Sequence, residues 1–228
     1  MENEITSRKS TARLAGLLFL LWIITGFYDM FYLSSRIDTR GDMASAAQNI
    51  LSREFLFRTG IFMGLITSTL WVFMVLVFYR LFKPVQEHQA KLLVALVIVQ
   101  IPIGLMMATF DITTLMILKG KVLNSFELIQ RQELAMLFLK LSDYGVIALE
   151  LFWGLWLFPL GILTYRSRFL PRFLGIWLLI NGVVYVVLSF TSVVLPNYKD
   201  AVFTYTMPAM FGELVFMLWL LIKGARQD

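Results

Sequence analysis

Apolar residues in this chain gather into six blocks separated by short polar stretches. A helix needs about 20 residues to cross a hydrocarbon core of roughly 30 Å, so each block predicts a transmembrane helix. The predicted spans run from Thr11 to Leu33, Phe55 to Phe82, Leu92 to Leu118, Leu134 to Tyr165, Phe173 to Leu195 and Thr206 to Ile222. Prolines punctuate them. Pro84 follows the second, Pro102 interrupts the third, Pro196 closes the fifth and Pro208 falls in the first turn of the sixth. The short loops leave no room for a soluble domain. The expectation is a single transmembrane domain over residues 1–228, all-α: a polytopic membrane bundle of six transmembrane helices with short amphipathic helices in the outer loops.

Two loops carry those shorter helices. Asp42 is a good N-cap, and Met43, Ala46, Ala47, Ile50 and Leu51 follow at helical spacing with Ser45, Gln48, Asn49 and Ser52 opposite. Such a helix suits the membrane surface or the mouth of a bundle. Asn124-Ser125-Phe126-Glu127 has the form of a capping box that opens a helix running into the fourth span. A helix from Leu134 to Tyr165 would be about 48 Å long, more than the hydrocarbon requires. It is expected either to project beyond the membrane or to break near Ser142-Asp143-Tyr144-Gly145.

Composition strengthens the membrane reading. Hydrophobic residues make up 59% of the chain and charged residues 15%, against about 25% charged in a soluble domain. The net charge of +5 does not point to nucleic acid, because the basic residues sit at block ends, where they anchor helices and meet anionic head groups. The absence of cysteine excludes disulfides, thiol catalysis and cysteine–metal sites. The first apolar run is too long for a signal-peptide core and reads as a retained span. With the N-terminus inside, eleven Lys and Arg fall in cytoplasmic segments and seven in the longer outer ones. That bias predicts cytoplasmic N- and C-termini.

Ionisable side chains at membrane depth are costly and usually face the protein interior. Counting about 1.5 Å per residue from the cytoplasmic anchors puts Glu213 near the midplane, level with Gln100 and Asn181. Asp29 and Glu150 come out at about 24 Å, with Asp111 and Arg58 near the outer boundary and Asp143 around or above it. Glu150, Gly154 and Gly161 share a stripe, as do Gly175, Gly182, Tyr185, Ser189 and Ser192. Small residues mark helix–helix contacts in membranes, so these acids point into protein. The functional reading is an acid-rich pocket open to the outside. Its candidate ligand-binding residues are Glu213, Glu150, Asp111, Arg58, Asp29, Asp143, Asn181 and Tyr185. Arg58 is expected to neutralise Asp111 or Glu150. The structural reading is that these groups snorkel or bond neighbouring helices. The single histidine, His88, lies in the loop Lys83 to Ala90, away from the acids. That argues against Ser-His catalysis, histidine-bound zinc and haem. No catalytic residue, metal site or cofactor is assigned.

Several segments together carry a family pattern: Ala12-Arg13-Leu14-Ala15-Gly16, Leu56-Phe57-Arg58, Phe169-Leu170-Pro171-Arg172-Phe173-Leu174-Gly175, and Gly212-Glu213 ahead of Leu218-Trp219-Leu220-Leu221-Ile222-Lys223-Gly224. In order and spacing the chain resembles the bacterial membrane family called domain of unknown function 4386, from about Thr11 to Gly224. The Phe-Leu-Pro-Arg turn and the Gly-Glu of the last span are its most specific pieces. The resemblance implies a multi-pass protein of a bacterial inner membrane and brings no activity. Some members carry histidines in the fourth span, where this chain has none, so a metal role would not transfer.

Three functional classes follow. The first is binding or transport of a small polar or cationic solute, which joins the lipid bilayer as a partner. The second is a non-catalytic membrane subunit, sensor or assembly factor. The third is a carboxylate-dependent intramembrane enzyme. Nothing in the pattern specifies an oligomeric state. The topology can be tested directly: cysteines placed at Ser35 and Asn197 should react with an impermeant thiol reagent in intact cells, and one at Gln86 should not. Labelling at Gln86 alone would invert the orientation.

Overall fold

Water is absent from a hydrocarbon core, so a spanning backbone must satisfy its own N–H and C=O groups, which a helix does. The computed structural model describes residues 2–226, with side chains for 8–28 and 31–226. Among these residues there are helices and turns but no strand. Six segments are long and apolar enough to cross a membrane: Arg8–Arg36, Glu54–Phe82, Glu87–Leu118, Leu128–Arg166, Arg172–Val194 and Pro196–Ile222. The protein is thus an all-α polytopic membrane fold with six transmembrane helices.

In chain order the helices are α1 (Glu2–Phe27), a π-helical stretch (Tyr28–Leu33), α2 (Ser34–Arg36), α3 (Met43–Ser52), α4 (Glu54–Phe82), α5 (Glu87–Ile98), α6 (Ile101–Leu118), α7 (Leu128–Leu155), α8 (Leu157–Arg166), α9 (Arg172–Val194) and α10 (Lys199–Ile222). A 3-10 turn, Pro196–Tyr198, precedes α10. The short helix α3 forms as expected. The Asp42 carboxylate accepts from the Ser45 amide at 3.0 Å and from its hydroxyl at 2.7 Å. These bonds, the amide's foremost, hold the Asp42 carboxyl below its ordinary range. Ala46, Ala47 and Ile50 are buried, whereas Met43 and Leu51 stay exposed.

The third span breaks between α5 and α6, as Pro102 implies. Three other boundaries differ from expectation. The fourth span does not break at Ser142–Gly145, because Gly145 packs against Met107 and keeps the helix in place. It breaks at Trp156 instead, three residues ahead of Pro159, whose missing N–H leaves the carbonyl four residues back without its helical bond. The capping box shifts by three residues: α7 opens at Leu128, and the Gln130 side chain accepts from the Glu127 amide at 3.1 Å. Finally, α10 begins at Lys199 rather than Thr206, so Pro208 lies inside the helix. The π-helical stretch at Tyr28–Leu33 has no signal in the apolar pattern.

The chain divides into two compact units. One comprises Trp22–Thr69 and Pro102–Val146. Its core contains Ile37, Ala46, Ala47, Ile50, Phe57, Leu115, Ile117, Ala135 and Met136. The other comprises Met1–Leu21, Leu70–Ile101 and Ile147–Asp228. An aromatic cluster fills it. Phe19 lies edge-on to Phe78, Trp156 and Phe216 at 6.1, 6.1 and 6.4 Å between ring centroids, and Trp71 meets Trp156 at 6.0 Å.

In that second unit α9 packs antiparallel against the end of α7 and against α8 through paired glycines. A Cβ on Gly154 would lie 2.7 Å from the Gly182 carbonyl, and one on Gly182 would lie 3.0 Å from the Gly154 carbonyl. Gly161 and Gly175 repeat the relation at 2.9 and 2.6 Å. A seven-residue spacing on both strands of this contact brings the two backbones together twice. Next, Trp177 of α9 lies over Gly212 of α10 and donates to the Ala209 carbonyl at 2.9 Å. Gly175→Ala should therefore destabilise the protein by about 1–3 kcal/mol through overpacking, read as a lower melting temperature in detergent. Gly64→Ala, with nothing within 4 Å of the added Cβ, should be neutral or gain up to about 1 kcal/mol of helix propensity. Equal responses would show that the glycine contact carries no packing constraint.

Candidate functional site

On α9, Asn181, Tyr185, Ser189 and Ser192 recur at helical spacing on one face, the face that the glycine contact turns toward α7 and α10. Two polar contacts form along it. Asn181, fully buried, donates from Nδ2 to Glu213 Oε1 of α10 at 2.8 Å. Further along, Ser192 donates from its hydroxyl to Glu150 Oε2 of α7 at 2.6 Å, and Lys199 Nζ of α10 lies 3.1 Å from Glu150 Oε1. Glu150 is 4% exposed and Glu213 9%. The eleven residues from Asn181 to Ser192 separate the contacts by about 16 Å. Tyr185 lies between them, beside the Glu213 carboxyl and within the field of both acids. The Trp153 ring, one turn along α7 from Glu150, meets Tyr185 edge-on at 6.0 Å.

The two contacts differ in how their charge is met. Glu150 has a cation and a hydroxyl. Glu213 has a neutral amide and a phenol, and no cation within ion-pair distance among the described residues. Two buried atoms have no hydrogen-bond partner among the described residues: Oδ1 of Asn181, an acceptor, and Nε1 of Trp153, a donor on the ring that meets Tyr185. Unsatisfied buried polar atoms are rare in native proteins, and each calls for a physical explanation.

The structure groups four of the eight sequence-derived candidates here: Glu150, Asn181, Tyr185 and Glu213. The others belong to the unit of Trp22–Thr69 and Pro102–Val146. Arg58 does not neutralise Glu150, whose cation is Lys199. Its Nε bonds Glu54 on its own helix at 2.8 Å, and Lys119 Nζ reaches both oxygens of that same Glu54 at 2.7 Å. Helical i,i+4 geometry offers Arg58 this nearer partner. Asp111 is half-buried and Asp143 is exposed. Position 29 falls in the π-helical stretch, and the side chain of Asp29 lies outside the described residues.

Sequence reasoning missed Lys199 and Trp153. Lys199 looked like a loop cation because α10 was expected to start seven residues later. Its helical register with Glu213, two seven-residue steps on, was the available signal. Trp153 precedes Gly154 on the small-residue stripe, which places it at a helix contact.

A helical membrane fold with two buried carboxyls held along one helix face defines an integral membrane protein of polar interior, a class wider than any one activity. Within it, the chain belongs to the family described as Domain of unknown function (DUF4386), which it matches over residues 14–224. That match includes every residue of the site. The chain is also similar to an uncharacterized protein of Archaeoglobus fulgidus, 35% identical over 92 residues, which are 39% of this chain and 49% of the other. It thus spans about half the length of the curated relative it matches. No solved structure matches.

The Glu150–Lys199 pair yields a measurable consequence. Lys199→Met leaves a buried carboxylate without its cation, which costs about 3 kcal/mol, the low end for a buried pair, because Lys199 is partly exposed. Arg58→Ala, in an exposed pair, should cost no more than about 1 kcal/mol. Melting temperatures of the two variants in the same detergent test the ranking, and adding Glu150→Gln should restore much of the Lys199→Met loss.

Proposed function

We propose that this protein binds or transports a small polar or cationic solute, and that the solute sits at Glu213. Asn181, Tyr185 and Trp153 complete the site, and the Glu150–Lys199 pair flanks it. One observation carries the reading: among the described residues Glu213 is a buried carboxyl without a cation, next to an unused acceptor on Asn181. A solute ammonium would compensate the carboxylate and donate to Asn181 Oδ1 at once. A buried carboxyl in a transmembrane helix that only glued helices together would not need the second feature.

The same proposal places the chain in the plasma membrane of a bacterium with both termini cytoplasmic. Support comes from the excess of eleven over seven Lys and Arg, the even number of spans and the likeness to a bacterial family. In that orientation Lys199 and Glu150 stand on the outer side of Glu213. A second reading, a non-catalytic membrane subunit, sensor or assembly factor, is favoured by the way Lys199 and Ser192 already satisfy Glu150.

Thermal stability of the purified protein with methylammonium, guanidinium or tetramethylammonium tests the binding claim. A ligand at 100 times its Kd stabilises by about 2.7 kcal/mol, or roughly 5–10 °C for a chain of this size. At least one of these cations should raise the melting temperature of the parent in a dose-dependent way, and Glu213→Gln should fold but lose the response. An equal response in Glu213→Gln, or none from any of the three in the parent, sinks the proposal.

A further inference from the structure

A separate cavity of about 270 Å³ lies between Arg8 of α1, the ends of α4 and α8, and the turns that follow those two helices. Leu81, Pro84, Val85 and Phe169 give it an apolar lining, and Arg8, Arg166 and Ser167 give it a polar one. Both arginines are held in place by neutral groups. Arg8 lies over the Phe169 ring at 5.3 Å, and that ring stacks on Phe82 at 6.0 Å. Arg166 donates from Nη1 to Gln86 Oε1 at 2.8 Å. Among the described residues neither guanidinium is paired with a carboxylate, although the neighbouring Lys83 and Lys91 both reach Glu87.

The turn that builds this cavity is strained. Arg168 has φ +63°, a left-handed conformation unusual for a residue with a Cβ. The turn is held by three bonds. The Ser167 hydroxyl donates to the Thr164 carbonyl at 2.8 Å and accepts from the Leu170 amide at 3.2 Å, and the Phe169 carbonyl accepts from the Arg226 amide at 2.9 Å. This is the Phe-Leu-Pro-Arg segment singled out in the sequence. Strain of this kind persists where surrounding contacts over-determine it, and it collects at ligand clamps. Here it buries Phe169 under Arg8 and keeps Arg166 at the cavity.

We propose that this cavity binds the phosphate of an anionic phospholipid. Guanidinium forks match phosphate oxygens in a bidentate way. Among the described residues the two groups have no acidic partner, which leaves a positively charged site. The apolar lining distinguishes a lipid from a free phosphate, since it offers the acyl-chain side of the molecule a surface. The position agrees: α4 ends at Phe82 and α8 at Arg166, so the cavity sits at the ends of two membrane-crossing segments, at head-group depth.

The test uses the full-length protein in detergent, with dihexanoyl-phosphatidylglycerol, dihexanoyl-phosphatidylcholine or inorganic phosphate added in turn. Phosphatidylglycerol should raise the melting temperature of the parent at least twice as much as phosphatidylcholine. In Arg8→Gln/Arg166→Gln that difference should vanish, while Arg36→Gln/Arg40→Gln keeps it. Arg166→Lys retains the charge but not the fork, and should keep less than half of the effect, which covers the case in which the double variant does not fold. Native mass spectrometry should find phosphatidylglycerol retained on the parent and lost from Arg166→Lys. Equal effects of the two lipids, an effect unchanged in the arginine variants, or full reproduction by inorganic phosphate alone would each overturn the proposal.

Discussion

Where α9 meets α7 and α8, no side chain keeps the two backbones apart. Each glycine of a pair faces the carbonyl of the other, at Gly154 with Gly182 and at Gly161 with Gly175. Lipid tails are as apolar as leucine, so helices in a membrane gain little from burying apolar area against one another. Close packing and interhelical hydrogen bonds supply the attraction instead. Two such contacts seven residues apart determine the rotation and the height of α9. The two buried carboxyl contacts of α9 follow from that registration. It puts Ser192 opposite Glu150 and leaves the adjoining face, with Asn181 and Tyr185, for α10.

The third partner is registered by a different device. Trp177 fills the space over Gly212 and bonds the Ala209 carbonyl, which sets Glu213 against Asn181 one helical turn further along α9. A bulky indole on a glycine and a glycine on a glycine are opposite solutions to the same problem. Both hold a carboxyl at a defined place without any contribution from the carboxyl itself. Among the described residues Glu213 has no ion pair, whereas Glu150 is held by Lys199.

Much of this was legible in the sequence. Block length identified the six spans, and the stripes through Glu150, Gly154 and Gly161 and through Gly175, Gly182 and Tyr185 identified the faces in contact. Height counted along the helices matched Asn181 to Glu213. Height alone does not say which helix is the neighbour, however. Arg58 was therefore matched by depth to acids on other spans, when the nearest carboxylate lay one turn away on its own helix. Helix ends were the other weakness. Polar residues such as Lys199 and Asp200 extend a helix beyond its apolar block, and no hydropathy signal records that extension. Likewise Pro159 decides the break at Trp156, in an apolar run where Ser142 and Gly145 looked weaker by propensity but are supported by packing.

Pro208 gives α10 a mechanical character that its continuous helical form conceals. A proline inside a helix has no N–H to offer the carbonyl four residues back, here that of Thr204, and its ring crowds the same turn. Bending α10 at this point sacrifices fewer backbone bonds than bending it anywhere else along its length. The proline falls between the two anchors of the helix, with Lys199 holding one segment to Glu150 and Glu213 holding the other to Asn181. The joint thus divides α10 into a segment tied to Glu150 by Lys199 and a segment clamped by Trp177 and Asn181, so a load on one anchor reaches the other through the weakest turn of the helix.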